Sequence, residues 1–352
     1  MSSMEAKHAK DEQSQETIAS VPAGSQKQLS RWQKTYGAVG FNKGYNLPLF
    51  IIFAGAMFGF CAARTAYFNL HRYVAESAPG EWYWYQHGFY RVGLVMHIAS
   101  VMPAGLLMVW QFVPIIRKKL LIFHRINGYT VIVFLAFGVA SALMVARRSF
   151  GGAPATQAAI GLLAILLVVS LGMAYYNIKR LQIDQHRAWM LRVAFYCGTI
   201  ITVRLIMIIA AQILPLTGDY YTTFSCDELT TLMGSKGMRE RYPKCFAVNG
   251  TNDGYVAVYA SFMVDAATVG TALQLSFSMG LWLAIFMHVV GVEIYLNLTT
   301  AESERLRVVS YEKQLEAGMK HPGSAGLTAD RWGDAPAWHP ACTAHTHSVM
   351  SG

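Results

Sequence analysis

Five ionisable side chains fall where the chain is otherwise apolar: His97, Arg204, Asp265, His288 and Glu293. Near the centre of a membrane span an ionised residue costs at least about 2.5 kcal/mol, so each asks for a partner or a function. A carboxylic acid in an apolar setting stays protonated near neutrality and can give its proton to an alkene or epoxide. Aromatic faces then stabilise the resulting cation. Asp265, Glu293 and Asp184, the last nearer a span edge, are therefore the candidate acids for a proton-initiated cyclisation. Trp110, Tyr175, Tyr176, Trp189, Tyr196, Trp282 and Tyr295 are the candidate walls. Two structural readings compete: aromatics at span ends form interfacial belts, and Arg204 could be the ion-pair partner of Asp265 or Glu293.

Further polar residues recur at informative spacings. His97, Ala104 and Gln111 are seven apart and share one face of a helix, as do Cys197, Arg204 and Ala211. Polar-tagged faces with small residues between them predict packing toward a common interior. The pairs His124-Arg125 and His186-Arg187 occupy matching places in two apolar hairpins, and Asp184 precedes the second. Basic residues at cytosolic span starts explain the arginines. The histidines ask for more: mutual orientation by hydrogen bonds, or contact with an anionic headgroup or diphosphate. His97, Gln111, Arg204, His124, Arg125, His186, Arg187, His288 and Trp282 are thus the candidate contacts to a lipophilic small-molecule substrate.

Two other chemistries fit parts of this set. A b-type haem requires two histidines on facing helices at one depth, and His288 with His124 or His186 would supply an inner pair. His97 lies toward the outer side, where only the loop residues His71 and His87 come near its level. Tandem repeats with intramembrane charge also suit a small-molecule transporter or scaffold, although no span has a Gly/Pro-broken centre. The cyclase reading needs no cofactor. No metal-ligand spacing is present, and His339, His345 and His347 near the C-terminus are irregularly placed.

The elements that must position these residues are membrane helices. The chain of 352 residues is 54% hydrophobic and 14% charged, with mean hydropathy +0.31, a polytopic membrane composition rather than a soluble one. Six runs near 47–68, 92–116, 126–147, 155–177, 189–214 and 266–298 reach the length of about 20 residues that a span requires. The expectation is an all-α polytopic bundle of about six transmembrane helices over 46–298. Within it, two hairpins turn at RKKLLIFHR and IKRLQIDQHR and repeat one unit. The net charge of +9 is the positive-inside signal, so no nucleic-acid partner is implied; membrane lipid is. Lys27, Arg31, Lys34 and Lys43 before the first span, with the basic connectors, place both termini in the cytosol, in the endoplasmic reticulum or another endomembrane.

Outside the spans, residues 1–45 read as a disordered cytosolic arm without a secretory signal, the first span serving for insertion. Residues 299–352 read as a disordered cytosolic tail. The segment Glu81-Trp82-Tyr83-Trp84-Tyr85 reads as an interfacial belt or a substrate-facing lid. The loop 215–262 is lumenal. It carries Cys226 and Cys245, predicted to form a disulfide worth about 3 kcal/mol, and the glycosylation acceptor Asn249-Gly250-Thr251. Asn297-Leu298-Thr299 falls at the cytosolic edge, where it stays unmodified.

Several of these motifs carry a resemblance. His97, Gln111-Phe112, His124-Arg125-x-x-Gly128-Tyr129 and Asp184-x-His186-Arg187-x-Trp189-Met190-x-Arg192 resemble a widespread family of polytopic membrane proteins known by a domain-of-unknown-function label. The resemblance covers about 90–215 and implies the fold but no activity. In size, Cys-bearing lumenal loop and tails, the chain also resembles the membrane-bound terpene cyclases of fungal meroterpenoid biosynthesis. That likeness implies an isomerase acting on a prenyl or epoxy-prenyl chain in secondary metabolism, and transfers no residue role.

Overall fold

The computed structural model describes residues 30–246 and 254–340. Asn249, Cys342, His345 and His347 lie outside them. The chain divides into two units with the boundary at Pro48. In the first, α1 (Arg31–Ala38) opens with a capping box: Ser30 Oγ accepts from the Gln33 N–H (3.1 Å), and Gln33 Oε1 accepts from the Ser30 N–H (2.8 Å). Reciprocal capping satisfies two backbone donors that a helix start leaves open. The expected disorder over 1–45 therefore does not extend through residues 30–45.

The second unit holds the bundle. Among the described residues, six helices are long and apolar enough to cross a membrane, and the chain is an integral multi-pass membrane protein. The spans are α2 (Asn46–Arg64, extended by a 3-10 turn to Phe68), α5 (Gly88–Gln111), α7 (Leu121–Val145), α8 (Pro154–Lys179), α9 (Ile183–Thr217) and α11 (Ala266–Leu298). Between α2 and α5 lie α3 (Leu70–Glu76) and α4 (Glu81–Tyr85); α6 (Pro114–Lys119) joins α5 to α7. The bundle turns its large apolar side chains outward, Ile51, Ile52, Ile122, Ile165, Ile209 and Phe286 all being more than half exposed, as a helix solvated by lipid can. Small residues let backbones approach inside it. A side-chain carbon on Gly138 of α7 would lie 2.7 Å from Val101 of α5.

The two hairpins are present, but their connectors differ. In the first, α6 intervenes, so His124 and Arg125 lie in the opening turn of α7 rather than in the turn before it. The second connector is three residues, Arg180 to Gln182, and Leu181 adopts a left-handed φ of 54°.

The loop after α9 is a small fold of its own. Strand β1 (Tyr221–Ser225) pairs antiparallel with β2 (Tyr255–Tyr259), and α10 (Cys226–Arg241) lies between them in sequence. Cys226 and Cys245 are bridged, with an S–S distance of 2.03 Å, and Phe224, Leu229, Met238 and Val258 form its core.

Residues 299–340 correct the expectation of a disordered tail. Helix α12 (Thr300–Glu316) buries Leu306, Ser310 and Gln314 on one face, and the chain then returns across the start of α9, with a last short helix α13 (Ala329–Trp332). Polar side chains make this contact. Gln314 Nε2 donates to the Arg180 carbonyl (2.9 Å), Gln182 Nε2 to the Gly323 carbonyl (3.0 Å), and the Leu327 N–H donates to Asn177 Oδ1 (2.9 Å). Arg307 pairs with Asp330 at 2.6 Å. Buried hydrogen bonds replace the apolar stripe that normally announces a docked segment.

Candidate active site at the disulfide end of the bundle

The bundle has a disulfide end, which carries the bridged loop, and a basic end, which carries Arg117, Arg125 and Arg187. None of the three acids expected from sequence is a free acid in an apolar site. Asp265 caps α11: its Oδ1 accepts from the Thr268 N–H (2.9 Å), Tyr242 donates to Oδ2 (3.4 Å), and Arg241 stands 3.9 Å away. Glu293 is held by Arg192 in a two-point ion pair at 2.6 and 2.9 Å. Asp184 accepts from Gln182 (2.7 Å), from Ser310 (3.1 Å) and, at its other oxygen, from Gln185 (3.3 Å), so it serves to dock α12.

Most of the expected substrate contacts are likewise engaged in joining helices. His97 Nδ1 meets the Gly138 carbonyl (3.0 Å) and Ser141 (3.3 Å) on α7. Gln111 Nε2 donates to the His124 carbonyl (3.2 Å). His186 Nδ1 reaches the Ala174 carbonyl (2.9 Å) and Arg187 donates to Thr299 (3.2 Å). Trp282 donates to the Ala155 carbonyl (3.1 Å) from the exposed face of α11, and Arg125 is exposed. His288 Nε2 meets Thr202 (2.8 Å), and its ring packs on Gly198. Gly198 is twelve residues beyond His186, about 18 Å along α9 at 1.5 Å per residue. His288 and His186 are therefore at different depths and do not fit a shared haem.

Arg204 leads to the site that the residue pattern did not single out. Its expected partners are taken, Asp265 by Arg241 and Glu293 by Arg192. The Arg204 guanidinium instead lies over the rings of Phe150 (4.8 Å) and Phe277 (5.6 Å), which stack on each other 3.9 Å apart. Its charge acts on Glu81.

Glu81 opens α4 and is only 8% exposed. Burial pushes its carboxyl above the usual carboxylate range, opposed by the Phe150 N–H and by the Arg204 charge. The Phe150 N–H donates to Glu81 Oε1 at 2.8 Å. Phe150 can aim that N–H because it adopts a left-handed φ of 47° in the turn between α7 and α8, a conformation costly for a bulky residue. Around the acid stand Tyr73, Tyr85 and Trp82, with ring centroids 6.4 Å (Tyr73 to Tyr85) and 6.3 Å (Tyr73 to Trp82) apart; Tyr85 also meets Ser149 at 3.3 Å.

A second carboxylate lies behind the first. Burial pushes Glu228 of α10 up to about 7, opposed by the Trp84 indole N–H and the Arg148 guanidinium; the nearby Glu81 charge adds to the rise. Arg148 stacks on Trp84, 3.4 Å from the ring centroid. Gly80, with φ 91°, leaves room for Glu228, which a side chain at that position would strike. The arrangement is a buried acid whose carboxyl burial pushes above the usual carboxylate range, a fixed N–H and a cation to hold its conjugate base, aromatic side chains beside it, and a second titrating carboxyl nearby.

Residues 94–227 match DUF2306, a family described as predicted membrane protein. The DUF2306 segment runs from α5 to the start of α10, and so includes Arg148, Phe150 and Arg204 but neither Glu81 nor Glu228. Over 334 residues the chain is 27% identical to Ava biosynthesis cluster protein G of Aspergillus versicolor, spanning 80% of this chain and 97% of that relative. No solved structure matches the chain.

Proposed function

We propose that this membrane protein is a proton-initiated terpene cyclase of fungal secondary metabolism, with Glu81 as the acid. The observation that carries the reading is a buried carboxyl, raised by that burial above the usual carboxylate range and set among Tyr73, Trp82 and Tyr85. The likeness to a protein named for a biosynthesis cluster supports the setting. Glu81 gives its proton to a terminal alkene carbon or epoxide oxygen of a lipophilic prenyl chain. The C–C π electrons of neighbouring units then close the ring or rings, and the last cation loses an adjacent C–H proton, so the product has the mass of the substrate. The Phe150 N–H and Arg204 hold the Glu81 carboxylate, and Glu228 passes it a new proton. No cofactor enters. The bridged loop faces the lumen of the endoplasmic reticulum, where disulfides persist, and both termini face the cytosol.

The test uses microsomes containing the wild type or Glu81→Gln, given farnesylated phenols with and without a terminal epoxide and assayed for an isomer of equal mass. Glutamine keeps the Phe150 hydrogen bond but has no acidic proton. A loss of about 100-fold or more in turnover is expected. Cyclisation by Glu81→Gln at the wild-type rate would remove Glu81 as the acid, and no isomer from the wild type with either substrate would remove the cyclase reading.

A further inference from the structure

A separate groove opens on the lipid-facing side of the bundle toward its basic end. It has a volume of about 460 Å³ and is lined by Ile165, Val169 and Ser170 of α8, Trp189 and Arg192 of α9, and Glu293 of α11. Volumes of this size are typical of small-molecule sites. The Arg192–Glu293 pair is its polar element. The Arg192 side chain is 18% exposed and that of Glu293 46%, so the acidic partner is the more open of the two, and both line the groove. A charge left open to hydrocarbon is costly, and a polar ligand would cover it.

The depth of the pair narrows the ligand. Arg187 is bonded to Thr299 at the basic end. Arg192 lies five residues from Arg187, and Glu293 six from Thr299, which places both roughly 8 Å further into the membrane at 1.5 Å per residue. With Arg187 and Thr299 at the level of the headgroups, that depth is where the heads of lipids meet their acyl chains. The ion pair uses two of the five guanidinium donors and one lone pair on each carboxylate oxygen, so both partners keep bonding capacity. Arg192 also lies over Trp189, 4.5 Å from the ring, which holds the fork in place.

We propose that this groove binds a membrane phospholipid with a primary-amine head, its phosphodiester on Arg192, its ammonium on Glu293 and an acyl chain along Ile165 and Val169. A neutral pair of opposite charges side by side complements a zwitterion. A purely anionic head would meet Glu293 unfavourably, and a trimethylated head cannot donate N–H bonds to it. The site is distinct from the Glu81 centre, so its test does not depend on turnover.

The test is native mass spectrometry of the full-length, deglycosylated protein in detergent, with equal amounts of dioleoyl phosphatidylethanolamine, phosphatidylcholine and phosphatidylglycerol. The wild type is expected to keep one phosphatidylethanolamine at least about tenfold more often than phosphatidylglycerol, with phosphatidylcholine between them. Glu293→Gln should erase the preference, and Arg192→Lys should weaken retention without inverting it. Val169→Trp leaves both charges in place and fills the groove, so it should lose the bound lipid even where a charge variant fails to fold. Equal retention of the three lipids by the wild type, or retention of phosphatidylethanolamine by Val169→Trp, would overturn the proposal and leave bulk lipid only.

Discussion

Replacing Glu228 by glutamine removes one titrating group from the disulfide end while keeping an oxygen to accept from Trp84. Burial, the largest cause, holds the Glu228 carboxyl up at about 7 against an ordinary value of 4.5. A group whose folded value is raised costs nothing below the unfolded value, costs more as pH rises between the two, and costs its full amount above the folded value. The interval of about 2.5 units, at 1.36 kcal/mol per unit, gives a penalty of about 3 kcal/mol at pH 8 and none at about pH 4. Glu228→Gln should therefore match the wild type in stability at pH 4, gain steadily between pH 4.5 and 7, and hold a constant advantage above that. The assay is the thermal midpoint of detergent-solubilised protein by tryptophan fluorescence across pH 4–8. An advantage independent of pH would show that Glu228 does not titrate in this range, and a wild type more stable at pH 8 would refute the sign. The same variant should slow cyclisation less than Glu81→Gln, because water can replace a relay but not the acid.

The remaining predictions separate scaffold from chemistry. Asp265→Asn keeps an N-cap acceptor and should leave both turnover and thermal midpoint near wild type, whereas Asp265→Ala should cost about 1 kcal/mol; a dead Asp265→Asn with normal folding would restore Asp265 as the acid. Arg307→Met removes the ion-pair partner of the Asp330 carboxylate and leaves it to the Ser324 hydroxyl and the Trp338 N–H, a loss of about 3 kcal/mol in a broken buried pair. Limited proteolysis should then cut within 317–340 before any loop of the bundle; an unchanged cleavage order would mean that the polar network holds without Arg307.

What the sequence made legible follows from how each feature is encoded. Six apolar runs and the basic connectors announce spans because lipid demands length and hydropathy. Burial by polar side chains leaves no such trace. Gln182, Ser310 and Gln314 are almost wholly inaccessible, yet in sequence the first looks like part of a polar connector and the other two like a solvated tail. Glu81 was hidden for a related reason. It sits in a short segment between spans, and the groups that act on it, the Phe150 N–H and the Arg204 charge, lie 69 and 123 positions further along. Its aromatic neighbours were the available signal, and they also fit a membrane belt. Asp265 and Glu293 show the converse, because proximity to a hydrophobic run implies desolvation only when no cap or arginine answers the charge. Here the helix N-terminus answers one and Arg192 the other.

The left-handed turn at Phe150 also bears on the order in which the protein is made. Its N–H fastens Glu81, which is synthesised before the second span, and its ring rests on Phe277, which belongs to the sixth. The acid's surroundings are thus complete only when the final span has entered the membrane. A nascent chain arrested before Ala266 would lack the Phe277 ring on which Phe150 rests. The turn that presents the Phe150 N–H to Glu81 is therefore braced only at the end of biosynthesis.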